Sequence, residues 1–195
     1  MIITGGDTEL SSNEATGDLA EQGGGALYND GGTMNIDSFA DIFSNLATGT
    51  SGSGGAILST AGTLNIDVAS ITSNSANRAG GGIEIIDGTA NLNDLILIFN
   101  DVNGTAGTPN PGNGGGLHVT GNAANVTISG IVFLNTAASE GGGLWNNGGT
   151  MDIVGGGLFF PDTFIDQNTA SGNDATNGGG GIFNNGGTLT VASGT

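Results

Sequence analysis

The sequence predicts an all-β fold: a single-stranded parallel β-helix, or solenoid, of about six coils with three short strands in each. Three observations carry this. A phrase of glycines, one apolar residue, an Asn/Gly turn and an alternating strand recurs at residues 23–36, 141–153 and 179–191, with looser copies from Gly54, Gly80 and Gly114. The first apolar residues after the glycines, Leu27, Ile57, Ile83, Leu117, Leu144 and Ile182, are 30, 26, 34, 27 and 38 residues apart, a fixed unit with insertions of variable length. No helical period occurs, whereas strict alternation does.

Taken in order, residues 1–22 read as a partial first coil, because Leu10-Ser11-Ser12-Asn13-Glu14-Ala15 matches Ile71-Thr72-Ser73-Asn74-Ser75-Ala76 and Ile165-Asp166-Gln167-Asn168-Thr169-Ala170. Coils then start near 23, 54, 80, 114, 141 and 179, and residues 1–195 form a single domain. In each coil, segment a carries the anchor residue and ends in a turn whose Asn and Gly residues tolerate positive φ. Segment b alternates, as in Thr33-Met34-Asn35-Ile36-Asp37 and Thr63-Leu64-Asn65-Ile66-Asp67, so its Met, Leu, Ile and Val face inward and its Thr, Asn and Asp outward. Segment c closes on an Asn in every coil. Stacked in register, Asn13, Asn45, Asn74, Asn100, Asn135 and Asn168 form a ladder in which each amide bonds the next. Their role is structural.

The composition restricts partners. The chain has 18 acidic residues against one Arg (Arg78), no Lys and one His (His118), for a formal net charge of −17. A surface so poor in cations does not neutralise phosphates, which argues against nucleic acid, and no apolar run is long enough for membrane insertion. Such a charge with modest hydrophobicity would suit a disordered chain, but the periodic Leu, Ile and Val positions argue for a packed core. There is no cysteine.

The recurrent Gly-Gly-Ala/Gly-Leu/Ile phrase (Gly54-Gly55-Ala56-Ile57), followed by an apolar-x-x-Asn element that ends as in Phe133-Leu134-Asn135, resembles the repeats of chlamydial polymorphic membrane proteins and the Gly-Asn-rich right-handed β-helix repeats of bacterial surface proteins. The resemblance covers nearly the whole chain. It implies a right-handed coil and an extracellular or cell-surface passenger or stalk involved in adhesion or surface architecture.

For function, the sequence is read as non-enzymatic. Polysaccharide lyases of this fold class use Arg or Lys as base and charge stabiliser, and only Arg78 is present; a hydrolase needs converging carboxylates, and Asp37, Asp67 and Asp152 read as a solvated stripe. No cofactor is expected. A Ca²⁺ site at Asp162, Asp166, Asn173 and Asp174 lacks any recognised loop motif, and His118, without a second imidazole or thiolate, reads as structural or exposed rather than as a ligand. The outward face of segment b is the candidate ligand face: a Thr column of Thr33, Thr63, Thr89 and Thr150 beside a second column of Asn35, Asn65, Asn91, Asn125 and Asp152. Such a lattice suits a glycan chain, the alternative being a glycan-binding or polysaccharide-cleaving helix, and less well ice. Leu189 and Val191 on the last strand are the candidate assembly edge, through which copies could pair end to end into filaments. The expected partners are other copies of the chain, or surface proteins and glycans.

Overall fold

The structure is a computed structural model and describes residues 1–4, 8–155 and 157–192, with the Ser38 side chain also left out. Among the described residues there is no helix, and the strands form one 13-stranded and one 6-stranded sheet, both parallel. Strands pair with their equivalents in the neighbouring repeats, on both sides in the middle of the stack and on one side at its ends, so the chain winds in a solenoid-like path.

The anchor residues fall in one column. Leu27 pairs with Ile57, Ile57 with Ile83, Ile83 with Leu117, Leu117 with Leu144, and Leu144 with Ile182. All but Ile182 are buried, and they pack with the inward residues of segments b and c in one continuous core containing Met34, Ile36, Leu64, Ile66, Leu92, Val126, Ile128, Met151 and Ile153. Alternation explains this: on a strand buried on one face only, every second side chain reaches the core.

In two repeats segments a, b and c run on as single strands, Leu27–Phe43 and Ile57–Thr72, whose pairing is irregular at Asn29/Asp30, Asp30/Thr33 and Asp37/Ala40. The three-segment expectation is incomplete. A fourth ladder of two-residue strands, Glu14–Ala15, Leu46–Ala47, Ser75–Ala76, Asp101–Val102, Thr136–Ala137 and Thr169–Ala170, forms the 6-stranded sheet just after each ladder Asn. Its second position is small and apolar because it packs inward.

The Asn ladder is present throughout. Each Nδ2 donates to the Oδ1 of the next Asn at 2.9–3.0 Å, from Asn13 to Asn45, Asn74, Asn100, Asn135 and Asn168. The same Oδ1 also accepts the backbone N–H of the preceding ladder Asn at 2.9–3.1 Å. A second Nδ2 bond caps a carbonyl of an earlier strand, as from Asn100 to Ile71 at 2.9 Å. The residue before each Asn, Ser12, Ser44, Ser73, Phe99, Leu134 or Gln167, has φ between 52° and 57°. Non-glycine residues rarely adopt that conformation, and here the amide bonds on the following residue hold the corner in place.

The glycine phrase has a different cause. A Cβ on Gly115 would lie 2.2 Å from the Thr136 carbonyl oxygen and 2.4 Å from that of Gly142, closer than any side chain can come. The corner before segment a is therefore packed backbone against backbone.

Candidate functional site

Three places carry enough chemistry to be considered: the outward face of segment b, a buried ionic cluster, and an aromatic groove.

On the segment b face, Thr33, Thr63 and Thr89 pair in one column, and Asn35, Asn65 and Asn91 in the next. The Asn side chains bond one another, Asn65 to Asn35 and Asn91 to Asn65, both at 2.8 Å, and Asn93 extends the pattern to Asp67 at 2.7 Å. One expected position moves. Asn125 pairs with Thr89 and Thr150, so it stands in the Thr column, and Thr127 takes the place beside Asn91 and Asp152. The shift of two residues puts Val126 and Ile128 into the core, where the expected register would have placed the smaller Ala124 and Val126. The larger apolar pair sets the register.

The expected assembly edge lies on Thr188–Val191, which pairs on one side with Thr150–Ile153. Leu189 is half-buried and Val191 exposed. Among the described residues no group of three or more His, Cys, Asp or Glu side chains is placed to hold a metal ion, and Asp162, Asp166 and Asp174 are not brought into such a group.

The sequence reading missed the buried cluster. The residues following the anchors form their own column, Tyr28, Leu58, Glu84, His118, Trp145 and Phe183. Leu58, Glu84, His118 and Trp145 are buried apart from the main core, whereas Tyr28 at one end of the column is exposed and Phe183 at the other is half-buried. Arg78 reaches Glu84 Oε1 through Nη2 at 3.2 Å and donates through Nε to the Ser51 carbonyl at 3.2 Å and through Nη1 to that of Pro109. Thr120 Oγ1 donates to Glu84 Oε1 at 2.7 Å, and His118 Nδ1 lies 2.6 Å from Glu84 Oε2. His118 stacks on Trp145, whose Nε1 donates to Glu140 Oε2 at 2.9 Å. The Arg78, Glu84 and His118 side chains have no exposure to solvent. His118, read from the sequence as structural or exposed, is buried and paired with Glu84.

The electrostatics follow from that burial. Desolvation opposes ionisation of Glu84, but His118 and Arg78 together, with hydrogen bonds from His118 and Thr120, outweigh it and hold its pKa at about 2. Burial pushes the His118 imidazole below its ordinary value, against the pull of Glu84. The ring is therefore neutral at pH 7, with Arg78 as the persistent counter-charge. A neutral ring facing a carboxylate through Nδ1 carries its proton there, leaving Nε2 as a lone-pair nitrogen, which is buried and without a partner.

The groove was also missed. Residues 157–163, part of an insertion between segments b and c, fold back over earlier repeats. The buried Asp94 organises it: Oδ2 accepts the Phe159 N–H at 3.0 Å and Oδ1 that of Phe160 at 2.9 Å. A Cβ on Gly157 would sit 1.9 Å from Asp94 Oδ1, so glycine lets the loop reach this carboxylate without displacing it. At its base, Thr163 Oγ1 accepts from Gly130 N at 3.1 Å and donates to the Val154 carbonyl at 2.5 Å. Phe159 then meets Phe39 edge to face, ring centroids 5.3 Å apart at 74°, and beside them opens a groove of about 420 Å³. The available signal was the run Leu158-Phe159-Phe160, which breaks alternation in a solvent-facing insertion.

No family model, no curated protein and no solved structure matches this chain.

Proposed function

We propose that this protein is a non-enzymatic structural or adhesive module, a single-stranded, right-handed parallel β-solenoid of about six coils acting at a cell surface or outside the cell. The observation that supports this reading most is where the reactive side chains are. The single Arg, the single His and the acid between them are sealed inside the scaffold, where they hold repeats together and meet no substrate. The exposed polar side chains stand instead in columns repeated from strand to strand, at spacings of about 4.8 Å along the stack. That arrangement suits a rigid support whose faces make repeated contacts.

Assembly would proceed through strand edges. The outer edge of Thr188–Val191 can receive a further parallel strand, and a heterologous contact of that kind repeats without closing. Negative-stain electron microscopy over a concentration series, on the parent and on Val191→Pro, tests it. Filaments that vanish in the variant are expected. Separate short rods from both proteins at every concentration would remove end-to-end assembly from the proposal.

A glycan-binding reading is favoured by the outward face of segment b, where Thr and Asn columns lie about 6.6 Å apart across the strands. A glycan array probed with the parent and with Asn65→Lys, which places a cation within the Asn column, would separate it from the purely structural role.

A further inference from the structure

We infer that the groove beside Phe39 and Phe159 is a binding site for an apolar-stemmed cation, the Lys or Arg side chain of a basic polypeptide partner. The site stands on its own geometry and does not depend on the structural or adhesive reading above.

The groove is a built feature. Burying a carboxylate is costly unless its oxygens are bonded, and Asp94 spends both on the N–H groups of two consecutive residues whose side chains form a wall. The side chains so positioned do not enter the core: Phe159 is 49% and Phe39 56% exposed. Two solvent-facing rings at 74°, one held by a buried acid, make a concave aromatic corner that none of the described residues fills. Val68 and Ile96 line it with further apolar surface, and its volume of about 420 Å³ falls in the range of roughly 300–1,000 Å³ usual for ligand pockets.

Its polar groups specify the occupant. Asp41 and Ser70 are neighbours in register on the groove wall, and the strand before Asp41 places Glu9 beside it. A sugar ring needs several donors and acceptors around its hydroxyls, whereas the side chains here offer one hydroxyl and one carboxylate. A neutral apolar group would leave Asp41 without a counterpart. An ammonium or guanidinium on an alkyl stem satisfies both parts, with its stem on Val68 and Ile96 and its charge between the ring faces and Asp41.

Charge also excludes a second copy of this chain as the occupant. There is no Lys, and the single Arg is completely buried, so the surface presents no cationic side chain to another copy. At a net charge of −17, two such faces would repel. The partner supplies the cation.

The test is an NMR titration at about 0.15 M salt, where diffuse counter-ion attraction is screened beyond about 8 Å. The probes are Nα-acetyl-lysine methylamide, Nα-acetyl-arginine methylamide, their neutral counterpart Nα-acetyl-norleucine methylamide, n-butylammonium, and the tripeptide Lys-Leu-Lys. Saturable shifts confined to Phe39, Val68, Ile96 and Phe159 are expected for the cations, with norleucine about tenfold weaker. Phe159→Ala and Asp41→Asn, both at exposed positions that leave the circular dichroism unchanged, should each weaken the cations about three- to tenfold. Shifts scattered over the acidic surface and equal in parent and variants would reduce the effect to general attraction and overturn the site. Norleucine binding as well as lysine would overturn the cation assignment. Tighter binding of Lys-Leu-Lys than of n-butylammonium supports a polypeptide source, and the reverse order would overturn it.

Discussion

The imidazole of His118 lies almost parallel to the indole of Trp145, 5° apart in plane and 4.2 Å between ring centroids. The only His and the only Trp of the chain therefore meet on adjacent strands, one repeat apart. On the other side of His118, Glu84 joins it to Arg78, six residues earlier in the chain, so four side chains from successive repeats form one buried cluster. Glu84, His118 and Trp145 stand where they do because parallel pairing places equivalent residues of successive repeats side by side, and Arg78 reaches Glu84 from the turn that precedes its strand.

This stack makes stability depend on pH. Burial lowers the His118 pKa, so the unfolded chain binds a proton that the folded chain does not. The contribution of the neutral ring is complete above the ordinary His value of about 6.5 and is lost as pH falls below it. Glu84, held at about 2, adds stability that is complete above the ordinary Glu range and is lost as pH falls toward 2. In thermal unfolding followed by Trp145 fluorescence, the parent should lose up to about 1.4 kcal/mol per pH unit below about pH 6.5 relative to His118→Phe, which keeps a stacked ring but does not titrate. Parallel pH profiles for the two proteins would contradict the assignment.

Arg78 should matter as a counter-charge more than as a packing residue. Arg78→Met leaves Glu84 buried beside a neutral imidazole, and breaking a buried pair from one side costs about 3–5 kcal/mol. Replacing both partners, as in Arg78→Met with Glu84→Leu, should recover much of that loss, because no charge is then left stranded. Denaturant unfolding of the two variants checks the order. A double variant less stable than Arg78→Met would show that the pair itself supplies net stability.

How much of this was readable beforehand differs from element to element. The anchors, the alternation of segment b and the Asn ladder were legible because each repeats one residue type at one place, and the paired registers coincide with that alignment at every anchor. The repeat at Ala123–Thr127 misaligned by two because Ala124-x-Val126 and Val126-x-Ile128 both alternate, and only core volume separates them. The buried stack was hidden for a different reason. Glu84, His118 and Trp145 share a column but no chemistry, so periodicity did not link them, and a charged residue one place after a core residue reads as facing solvent on a half-buried strand. Here the strand is covered on both faces. The groove depends on an insertion folding back from residue 159 to Asp94, a contact that no repeat-based alignment contains.

The two Asn ladders should differ sharply in energetic weight. Asn100 accepts the Asn74 backbone N–H at 3.1 Å, and its own amide bonds Asn135 at 3.0 Å and the Ile71 carbonyl at 2.9 Å, all in a buried setting. Asn100→Ala strands several of these groups at once, and with about 1–3 kcal/mol per unsatisfied buried group the loss should be at least about 3 kcal/mol. Asn91, exposed on the segment b face, gives one amide bond to Asn65, and water can replace it. Asn91→Ala should stay within about 0.5 kcal/mol of the parent. Chemical denaturation measures both, and comparable losses would mean that the buried ladder is no more than a decoration of the corner.

The glycine corners provide a final contrast in which side-chain chemistry plays no part. Gly81 and Gly178 both lie in glycine-rich approaches to segment a, and neither has positive φ. They hold different places, Gly81 in the column of Gly115 and Gly142, and Gly178 in that of Asn113 and Glu140, and differ sharply in what surrounds the missing Cβ. At Gly81 it would lie 2.4 Å from the Gly115 carbonyl oxygen and 2.5 Å from the backbone N and O of Asp101, whereas at Gly178 nothing lies within 4 Å. Backbone on both sides cannot swing aside as a side chain can, so Gly81→Ala must push adjacent repeats apart and break their hydrogen bonds. It should cost about 3 kcal/mol or more, in the range of overpacked cores. Gly178→Ala should be neutral or stabilising by about 0.4–1 kcal/mol, because alanine restricts the unfolded chain without meeting anything in the folded one. Thermal unfolding of the two variants decides the point, since equal destabilisation would mean that the phrase is retained for backbone flexibility and not for the close approach of neighbouring repeats.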